Sequence, residues 1–203
     1  MSRPEHWNAA HAGRAPDEMS WYQAVPTLSL EFLSAAGLNT GSRVLDVGGG
    51  ASRLVDALLE RGVENVAVLD VSSVALGHSR RRLGRDAERV QWVVGDVLEA
   101  PLAGDLDLWH DRAVFHFLAD RGDRQRYVDR LTETLVPGGH AVIATFAEDG
   151  PTWCSGLPVE RYTAVGLSAE LGDSFELVDD RRETHTTPDG REQRFHYFLF
   201  RKG

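Results

Sequence analysis

A glycine-rich turn constrains this chain more than any other feature. Residues 44–52 read VLDVGGGAS, so a short apolar run ends beside an acid, three glycines follow, and a helical pattern begins at a small residue. This order is typical of the first strand, turn and helix of a nucleotide-binding βαβ unit. The next apolar run, 66–69, ends at Asp70, where a carboxylate is placed to accept hydrogen bonds from ribose hydroxyls.

The glycine spacing distinguishes between two kinds of nucleotide site. The dinucleotide pattern G-x-G-x-x-G fits Gly48 and Gly50 but has Arg53 where its third glycine belongs. The run instead reads D-x-G-x-G-x-S from Asp46 to Ser52, which resembles motif I (D-x-G-x-G-x-G) of the class I S-adenosylmethionine (SAM) dependent methyltransferases. Ser52 departs from that motif, but serine is small and can cap the following helix. The resemblance implies SAM as cofactor, S-adenosylhomocysteine as its product, and cofactor contacts from Asp46, Gly48, Gly49, Gly50 and Ser52.

Further motifs of the same family follow in the expected order. Residues 70–76 are similar to the family's D-x-S-x-x-A-L, a G-D pair ends at Asp96, and residues 135–140 match its L-x-P-G-G turn. In the family, the acid of the G-D pair contacts the adenine amino group, and the next residue offers its backbone amide to the ring. The resemblance therefore adds cofactor-binding residues at Asp70, Val71, Ser72, Asp96 and Val97.

Periodicity and turn signals predict the element order. Helices are expected at 27–36, 52–61, 73–83, 123–135 and 158–171, and strands at 43–46, 65–70, 91–94, 106–109, 140–146, 175–184 and 194–200. Alternating strands and helices indicate an α/β fold with a doubly wound, mostly parallel sheet and helices on both faces. The last two strands flank Pro188-Asp189-Gly190, a turn signal. They predict that a C-terminal antiparallel hairpin completes a seven-stranded sheet, with the ligand beyond the carboxyl ends of the parallel strands.

The segment before the first strand is expected to form a helical cap. Residues 1–38 are interpreted as this cap or lid, and residues 39–203, which carry the resemblance, as the SAM-binding domain of a single globular unit. In methyltransferases that begin this way, the leading segment folds over the cofactor. Trp21 and Gln23 are then expected at the methionine end, and Tyr22 at the acceptor site. The alternative is that the tryptophans only pack the segment against the domain.

Residues after the fourth predicted strand are candidates for the acceptor site. His110-Asp111-Arg112-Ala113 is similar to the D-R-G/A-A segment of thiopurine-type and related small-molecule methyltransferases, in which the arginine lines the substrate pocket. Arg112 is therefore expected to contact substrate and to hold an anionic acceptor through its planar fork. The alternative is a local ion pair between Asp111 and Arg112. His110 is expected to offer its carbonyl to the SAM ammonium and its imidazole as a general base. His116 is expected to be packed.

Composition limits the kinds of molecule that the chain is expected to bind. The chain has 203 residues and a net charge of −9, which argues against nucleic acid as the main partner. Its apolar runs reach about five residues, so neither a membrane span nor a signal peptide is expected. A single cysteine, Cys154, indicates a reducing cytoplasm and is interpreted as a spectator thiol. The histidines lack metal-ligand spacing, so no metal site is predicted. The chain is expected to be a monomer or homodimer.

Three functions remain open on the sequence. The first is a methyltransferase that acts on a small molecule by in-line displacement, with His110, Asp111 and Arg112 as its candidate catalytic residues. The second is a protein lysine methyltransferase of the same fold, and the third is a non-catalytic SAM-binding module. A dinucleotide oxidoreductase is a distant fourth, because Arg53 replaces the third glycine and a hairpin closes the sheet.

Overall fold

The computed structural model describes residues 2–203 as one α/β unit. Its helices are α1 (Arg3–His11), α2 (Thr27–Ala35), α3 (Leu54–Glu60), α4 (Ser73–Leu83), α5 (Arg121–Thr134) and α6 (Ala164–Leu171). The strands of its main sheet are β1 (Arg43–Val47), β2 (Asn65–Asp70), β3 (Val90–Val94), β4 (Leu106–Arg112), β5 (Leu135–Phe146), β8 (Phe175–Thr186) and β9 (Glu192–Lys202). Two short strands, β6 (Trp153–Cys154) and β7 (Leu157–Pro158), form a separate hairpin.

The sheet has the predicted topology. Its strand order is β3-β2-β1-β4-β5-β9-β8. The first five strands are parallel to one another, and β9 runs antiparallel to both β5 and β8. The prediction of a seven-stranded, mostly parallel sheet with a C-terminal hairpin is confirmed. Because the chain moves outward from β1 to β3 and then returns to β4 on the other side of β1, the strand order reverses between β1 and β4. Ligands of open α/β sheets bind at such a switch point.

Apolar clusters cover both faces of the sheet. Strand β9 shows the alternation clearly, because Phe195 and Tyr197 belong to one cluster while Phe198 and Phe200 belong to the other. All four aromatic side chains are buried. A sheet buried on both faces is a stiff platform, so side chains at its carboxyl edge have fixed positions.

Two predicted boundaries are wrong around β5. The prediction ended a helix at residue 135 and made residues 135–140 a turn, whereas α5 ends at Thr134 and β5 already begins at Leu135. Pro137 therefore lies inside the strand. The register between β4 and β5 shifts between Leu106 and Leu108, opposite this segment. An irregular ladder tolerates a residue that has no N–H to donate.

The helix predicted for 158–171 is also corrected. Pro158 pairs with Trp153 in the β6–β7 hairpin, which reverses at Ser155 and Gly156, both with positive φ. Helix α6 begins only at Ala164, after Thr163 accepts a hydrogen bond from the Gly166 amide. The position of this proline predicts the start of a helix, but it lies in the short strand β7.

The N-terminal segment contains two helices, in agreement with the predicted helical cap. Ser2 and Glu5 form a capping box at the start of α1. Asn8 Oδ1 then accepts hydrogen bonds from Ser72 Oγ (2.9 Å) and the Val74 amide (3.3 Å), which hold α1 against the start of α4. Met1, the first residue of the predicted 1–38 segment, lies outside the described residues. Within residues 2–203, no helix is long and apolar enough to cross a membrane.

Candidate active site

Two adjoining cavities lie beyond the carboxyl ends of β1, β2 and β4. The small cavity lies over the glycine turn, and its lining includes Asp46, Gly49, Gly50, Ser52 and His110. The large cavity lies beside the ends of β2 and β3, and its lining includes Val71, Asp96 and Val97. Both linings include Trp21, Gly48, Asp70 and Arg112. Of the predicted site residues, Ser72 and Asp111 line neither cavity.

The glycine turn leaves no room for side chains. Gly48 has a φ of +67°, and a Cβ there would overlap the side chain of Val114. A Cβ on Gly50, whose φ is +31°, would lie 2.6 Å from Asp70 Oδ2. The Gly48 and Gly49 amides donate to the Leu69 carbonyl at 2.8 and 3.2 Å, which holds the turn against the end of β2. The backbone is thus exposed to the cavities at close range, as a bound ligand requires.

Asp46 is a buried carboxylate that is only half satisfied. Its side chain is 2% exposed, and its Oδ1 accepts a hydrogen bond of 2.7 Å from His110 Nδ1. His110 Nε2 lies 2.9 Å from Ser29 Oγ of α2. Asp46 Oδ2 has no hydrogen-bond partner among residues 2–203. Leaving such an acceptor unpaired is costly, so the floor of the small cavity favours a ligand with a positively charged N–H donor.

The geometry gives His110 a different position from the one predicted for a general base. Both of its ring nitrogens take part in hydrogen bonds to protein side chains. The prediction also put residues 110–112 in a loop, whereas β4 continues to Arg112. The imidazole therefore orients Asp46 and has no free nitrogen for an acceptor.

Asp70 lies where the two cavities meet. Its Oδ1 accepts a hydrogen bond of 2.7 Å from the Ser72 amide. Burial raises the pKa of Asp70 to about 7, and the nearby Asp46 carboxylate contributes in the same direction. Ser72 itself is fully buried and caps α4 by accepting from the Ala75 amide. Its hydroxyl thus positions α1 and α4, and its predicted cofactor contact is not seen in the cavity lining.

An ion pair crosses the far end of the large cavity. Asp96 Oδ1 accepts a hydrogen bond from the Leu98 amide (3.0 Å), and Asp96 Oδ2 accepts one from Arg3 Nη1 (2.8 Å). Arg3 also donates to Asp123 Oδ2 at 2.5 Å. Helix α1 is therefore tied to both the β3 end and α5, and the carboxylate predicted to contact adenine has a protein partner here.

Asp111 and Arg112 point to opposite faces of the sheet. Asp111 is fully buried and accepts hydrogen bonds from Tyr127 OH (2.6 Å) and from the Val114 (2.8 Å) and Phe115 (3.1 Å) amides. Burial raises its pKa to about 6. These contacts shape the turn after β4 beneath the cavities, so the position of Asp111 does not support the predicted catalytic role. The alternative ion pair with Arg112 is wrong, because Arg112 pairs elsewhere.

Arg112 lies at the junction of the two cavities. Its Nε donates to Tyr197 OH (2.8 Å) and its Nη1 to the Trp21 carbonyl (3.0 Å), while Nη2 lies 3.8 Å from Glu183 Oε2. The guanidinium carbon is 4.2 Å from the ring centre of Phe195. Nη2 is buried and makes no hydrogen bond within the described chain. One donor of a well-fixed guanidinium is therefore left for a ligand.

Several lining residues were not predicted. His11 lies on α1, lines both cavities, and has an unpaired, buried Nδ1 among the described residues. Burial lowers its pKa to about 4. Further lining residues come from the turn after β4, the β6–β7 hairpin and β9: Phe117, Cys154, Leu157, Gln193 and Phe195. No motif marks them, because their proximity depends on the closing hairpin. Tyr22, predicted near the acceptor, lines neither cavity, whereas Gln23 lines the small one.

Comparisons with known proteins identify a methyltransferase domain in this chain. A family model described as "Methyltransferase domain" matches residues 44–139. The chain is 33% identical over 116 residues to the ubiquinone/menaquinone biosynthesis C-methyltransferase UbiE of Paracoccus denitrificans, covering 53% of this chain and 44% of that protein. The chain therefore contains a methyltransferase domain, and its fold is that of the class I SAM-dependent methyltransferases. It spans less than half the length of the curated relatives it matches.

Solved structures show the same methyltransferase fold. The 1,6-didemethyltoxoflavin-N1-methyltransferase of Burkholderia thailandensis, with 1,6-didemethyltoxoflavin and S-adenosylhomocysteine bound, superposes with a TM-score of 0.72 at 23% identity, covering 100% of this chain and 91% of that one. A structure titled "Conversion of a Disulfide Bond into a Thioacetal Group during Echinomycin Biosynthesis" gives a TM-score of 0.75 at 19% identity, covering 99% and 92%. At these identities the likeness establishes the fold.

The residues that line the two cavities fit SAM chemically. The unpaired Asp46 oxygen suits an ammonium group, and the bare glycine turn admits a ligand at backbone distance. The Asp70 carboxylate lines both cavities at their junction and suits the hydroxyl groups of a ribose. The apolar lining beside Val97 suits a flat ring.

Proposed function

We propose that this chain transfers the methyl group of SAM to a small-molecule acceptor. The observation that carries the proposal is the joined pair of cavities. One end holds the half-satisfied Asp46 carboxylate over a glycine turn, and the other end is an apolar space with aromatic walls. The charged amino-acid part of SAM needs polar partners, which the Asp46 end offers. A flat apolar acceptor needs carbon surface, which the other end offers.

The proposed contacts follow the order of the cavity lining. Asp46, held by His110, accepts from the SAM ammonium beside the His110 carbonyl, and the turn of Gly48, Gly49, Gly50 and Ser52 approaches the methionine part. The other proposed cofactor contacts are Trp21 beside the methionine, Asp70 with Val71 at the ribose, and Asp96 with Val97 at the adenine. In this arrangement Arg3 shares Asp96 with the adenine amino group.

The chemistry needs alignment more than proton transfer. Bound SAM supplies a methyl group that its positively charged sulfonium already activates. Transfer would pass this methyl group to a lone pair of the acceptor, and the electron pair of the broken carbon–sulfur bond would stay on sulfur. The residues of this chain hold the acceptor in line and exclude water. Burial raises the pKa of the Cys154 thiol, and burial lowers the pKa of His11 to about 4, so neither is suited to remove a proton near pH 7.

Contacts that α1 makes across the apolar end of the large cavity favour a small molecule over a protein side chain as the methyl acceptor. His6 Nε2 lies 3.1 Å from the Ser155 carbonyl, which connects α1 to the β6–β7 hairpin. Trp7 packs edge-on against Phe117, with ring centres 5.0 Å apart. A small molecule can be enclosed completely beneath these contacts, whereas a protein side chain can enter only if an opening remains for its backbone. We therefore propose that residues 1–38 act as the lid of the site.

Calorimetric titration with SAM, S-adenosylhomocysteine and NAD tests the cofactor. Micromolar binding of the first two without NAD binding is expected, and binding of NAD alone would overturn the proposal.

Transfer is then measured with SAM labelled in its methyl group and a cell extract separated by size. Label in the small-molecule fraction is the expected result. Label confined to protein would favour the lysine methyltransferase alternative, and cofactor binding without any transfer would favour a non-catalytic module.

A further inference from the structure

One group of residues that line the large cavity has its own chemistry. We call it the acceptor chamber and define it by Phe117, Cys154, Leu157, Gln193 and Phe195. Four of these five side chains offer carbon or sulfur surface, and Arg112 closes the side toward the small cavity. A chamber of this kind suits an aromatic ring.

The charges at the chamber already balance. Glu183 Oε2 lies 3.8 Å from Arg112 Nη2, and Tyr197 OH donates to the same oxygen at 3.2 Å. Gln23 Nε2 donates to the other carboxylate oxygen, Oε1, at 3.0 Å. Both charged groups are thus fixed in one network. Because Arg112 has an internal counter-ion, it does not call for an anionic acceptor, and the earlier expectation of an anion loses its support.

Two hydrogen-bonding atoms in this region lack partners. Gln193 Oε1 is buried and finds no donor in residues 2–203. Arg112 Nη2 is a buried donor with no acceptor within hydrogen-bond distance in the same part of the chain. Gln193 and Phe195 are two residues apart on β9, so their side chains share the face that Arg112 covers. An unpaired buried polar atom costs free energy unless a ligand pairs with it.

We infer that the acceptor is a neutral, planar aromatic heterocycle whose edge carries an N–H beside a carbonyl, as in a lactam. The ring lies among Phe117, Leu157 and Phe195, the N–H donates to Gln193 Oε1, and the carbonyl accepts from Arg112 Nη2. This inference rests on the proposed function and specifies its substrate class. Methylation occurs at another atom of the ring system, because the lactam edge is held by protein.

Three bicyclic probes of similar size separate the requirements. 2-Quinolone is neutral and has the lactam edge, quinoline is neutral without an N–H donor, and quinoline-2-carboxylate is an anion. Binding to protein saturated with S-adenosylhomocysteine is followed by quenching of tryptophan fluorescence, since Trp7 and Trp21 line the cavity. We expect 2-quinolone to bind about tenfold more tightly than quinoline, the ratio for one buried hydrogen bond. Tightest binding of the carboxylate, or no binding of 2-quinolone, overturns the inference.

Substitution of Gln193 tests the named contact. Gln193→Leu keeps the volume and removes the hydrogen bond, so it should erase the preference for 2-quinolone over quinoline. Gln91→Leu makes the same chemical change at an exposed position of β3, away from the cavity, and should keep that preference. An undiminished preference in Gln193→Leu contradicts the inference. S-adenosylhomocysteine is titrated into each sample first, because failure of that binding refutes the proposed function, whereas its success with failed probes refutes only the acceptor class.

Discussion

His110 Nδ1 donates a hydrogen bond to Asp46 Oδ1 across 2.7 Å, which connects the ends of β4 and β1 at the point where the strand order reverses. Both side chains are almost completely buried. Ser29 holds the other ring nitrogen from α2, so three elements fix the direction of one carboxylate. Asp46, which lines the small cavity and has an unpaired Oδ2, is therefore fixed in direction before any ligand arrives.

Loss of this support should weaken cofactor binding. His110→Phe keeps a flat ring but leaves both Asp46 oxygens without a donor, and we expect SAM to bind about tenfold more weakly. Calorimetry measures the dissociation constant. His196→Phe is the matched control, because His196 also pairs with an aspartate, Asp180, at 2.6 Å and is buried, but it lines neither cavity. An equal loss of affinity in both variants would mean that His110 acts only through general stability.

The glycine turn offers a second test. Gly48→Ala should abolish measurable SAM binding, since its Cβ overlaps Val114 and its φ of +67° strains any side chain. Gly172→Ala also strains the backbone, at a φ of +72° and a ψ of −174°, but has open space around the new methyl group. We expect the control to lose about 1–3 kcal/mol of unfolding free energy and to keep its affinity. Unchanged affinity in Gly48→Ala would refute the motif I assignment.

Local signals were sufficient to predict the sheet and the glycine turn. Strands such as β1 and β2 are apolar runs bounded by turn residues, and the positive φ of Gly48 is a local steric demand that the sequence states directly. The predictions that failed concern segments whose structure depends on tertiary packing. Pro137 lies within β5 because the ladder shifts beside it, and Pro158 lies in a hairpin, so each proline misled a rule based on sequence alone.

Site residues divide in the same way. Most of those in a motif, such as Asp46 and Asp70, line the two cavities, although Ser72 does not. His11 and Gln193 enter the lining only because α1 folds across the switch point and β9 is paired with β5. Asp111 illustrates the reverse case, because alternation along β4 turns it away from the neighbouring Arg112. The motif identified the strand end, but the strand phase determines which side chain faces the ligand.

The raised pKa of Asp70 predicts a pH dependence of cofactor binding. In the proposed arrangement the ionised carboxylate accepts hydrogen bonds from both ribose hydroxyls, whereas the protonated acid has lost part of that capacity. Since burial holds this pKa at about 7 in the free protein, affinity for S-adenosylhomocysteine should rise between pH 5.5 and 7.5 and then level off. Below the pKa, the change should approach at most about tenfold per pH unit.

Asp70→Asn is the control for this titration. The amide is uncharged throughout, so the affinity should be lower at pH 8 and constant across the same range. His11 does not interfere, because its pKa is lowered to about 4, below the window. Asp111, whose pKa of about 6 lies inside the window, lines neither cavity. A pH profile that keeps its shape in Asp70→Asn would assign the titration to another group.

Arg112 should affect transfer more than cofactor affinity. Arg112→Lys keeps the charge beside Glu183 but removes the fixed fork that contacts Tyr197, the Trp21 carbonyl and the chamber. We expect methyl transfer into the small-molecule fraction to fall by about tenfold or more, with the S-adenosylhomocysteine dissociation constant changed by less than about threefold. Arg182→Lys is the matched control, because Arg182 is exposed, pairs with Glu148 and lies outside both cavities. If both variants transfer at the wild-type rate, Arg112 is a structural residue; if Arg112→Lys loses the cofactor as well, its bond to the Trp21 carbonyl holds the lid closed.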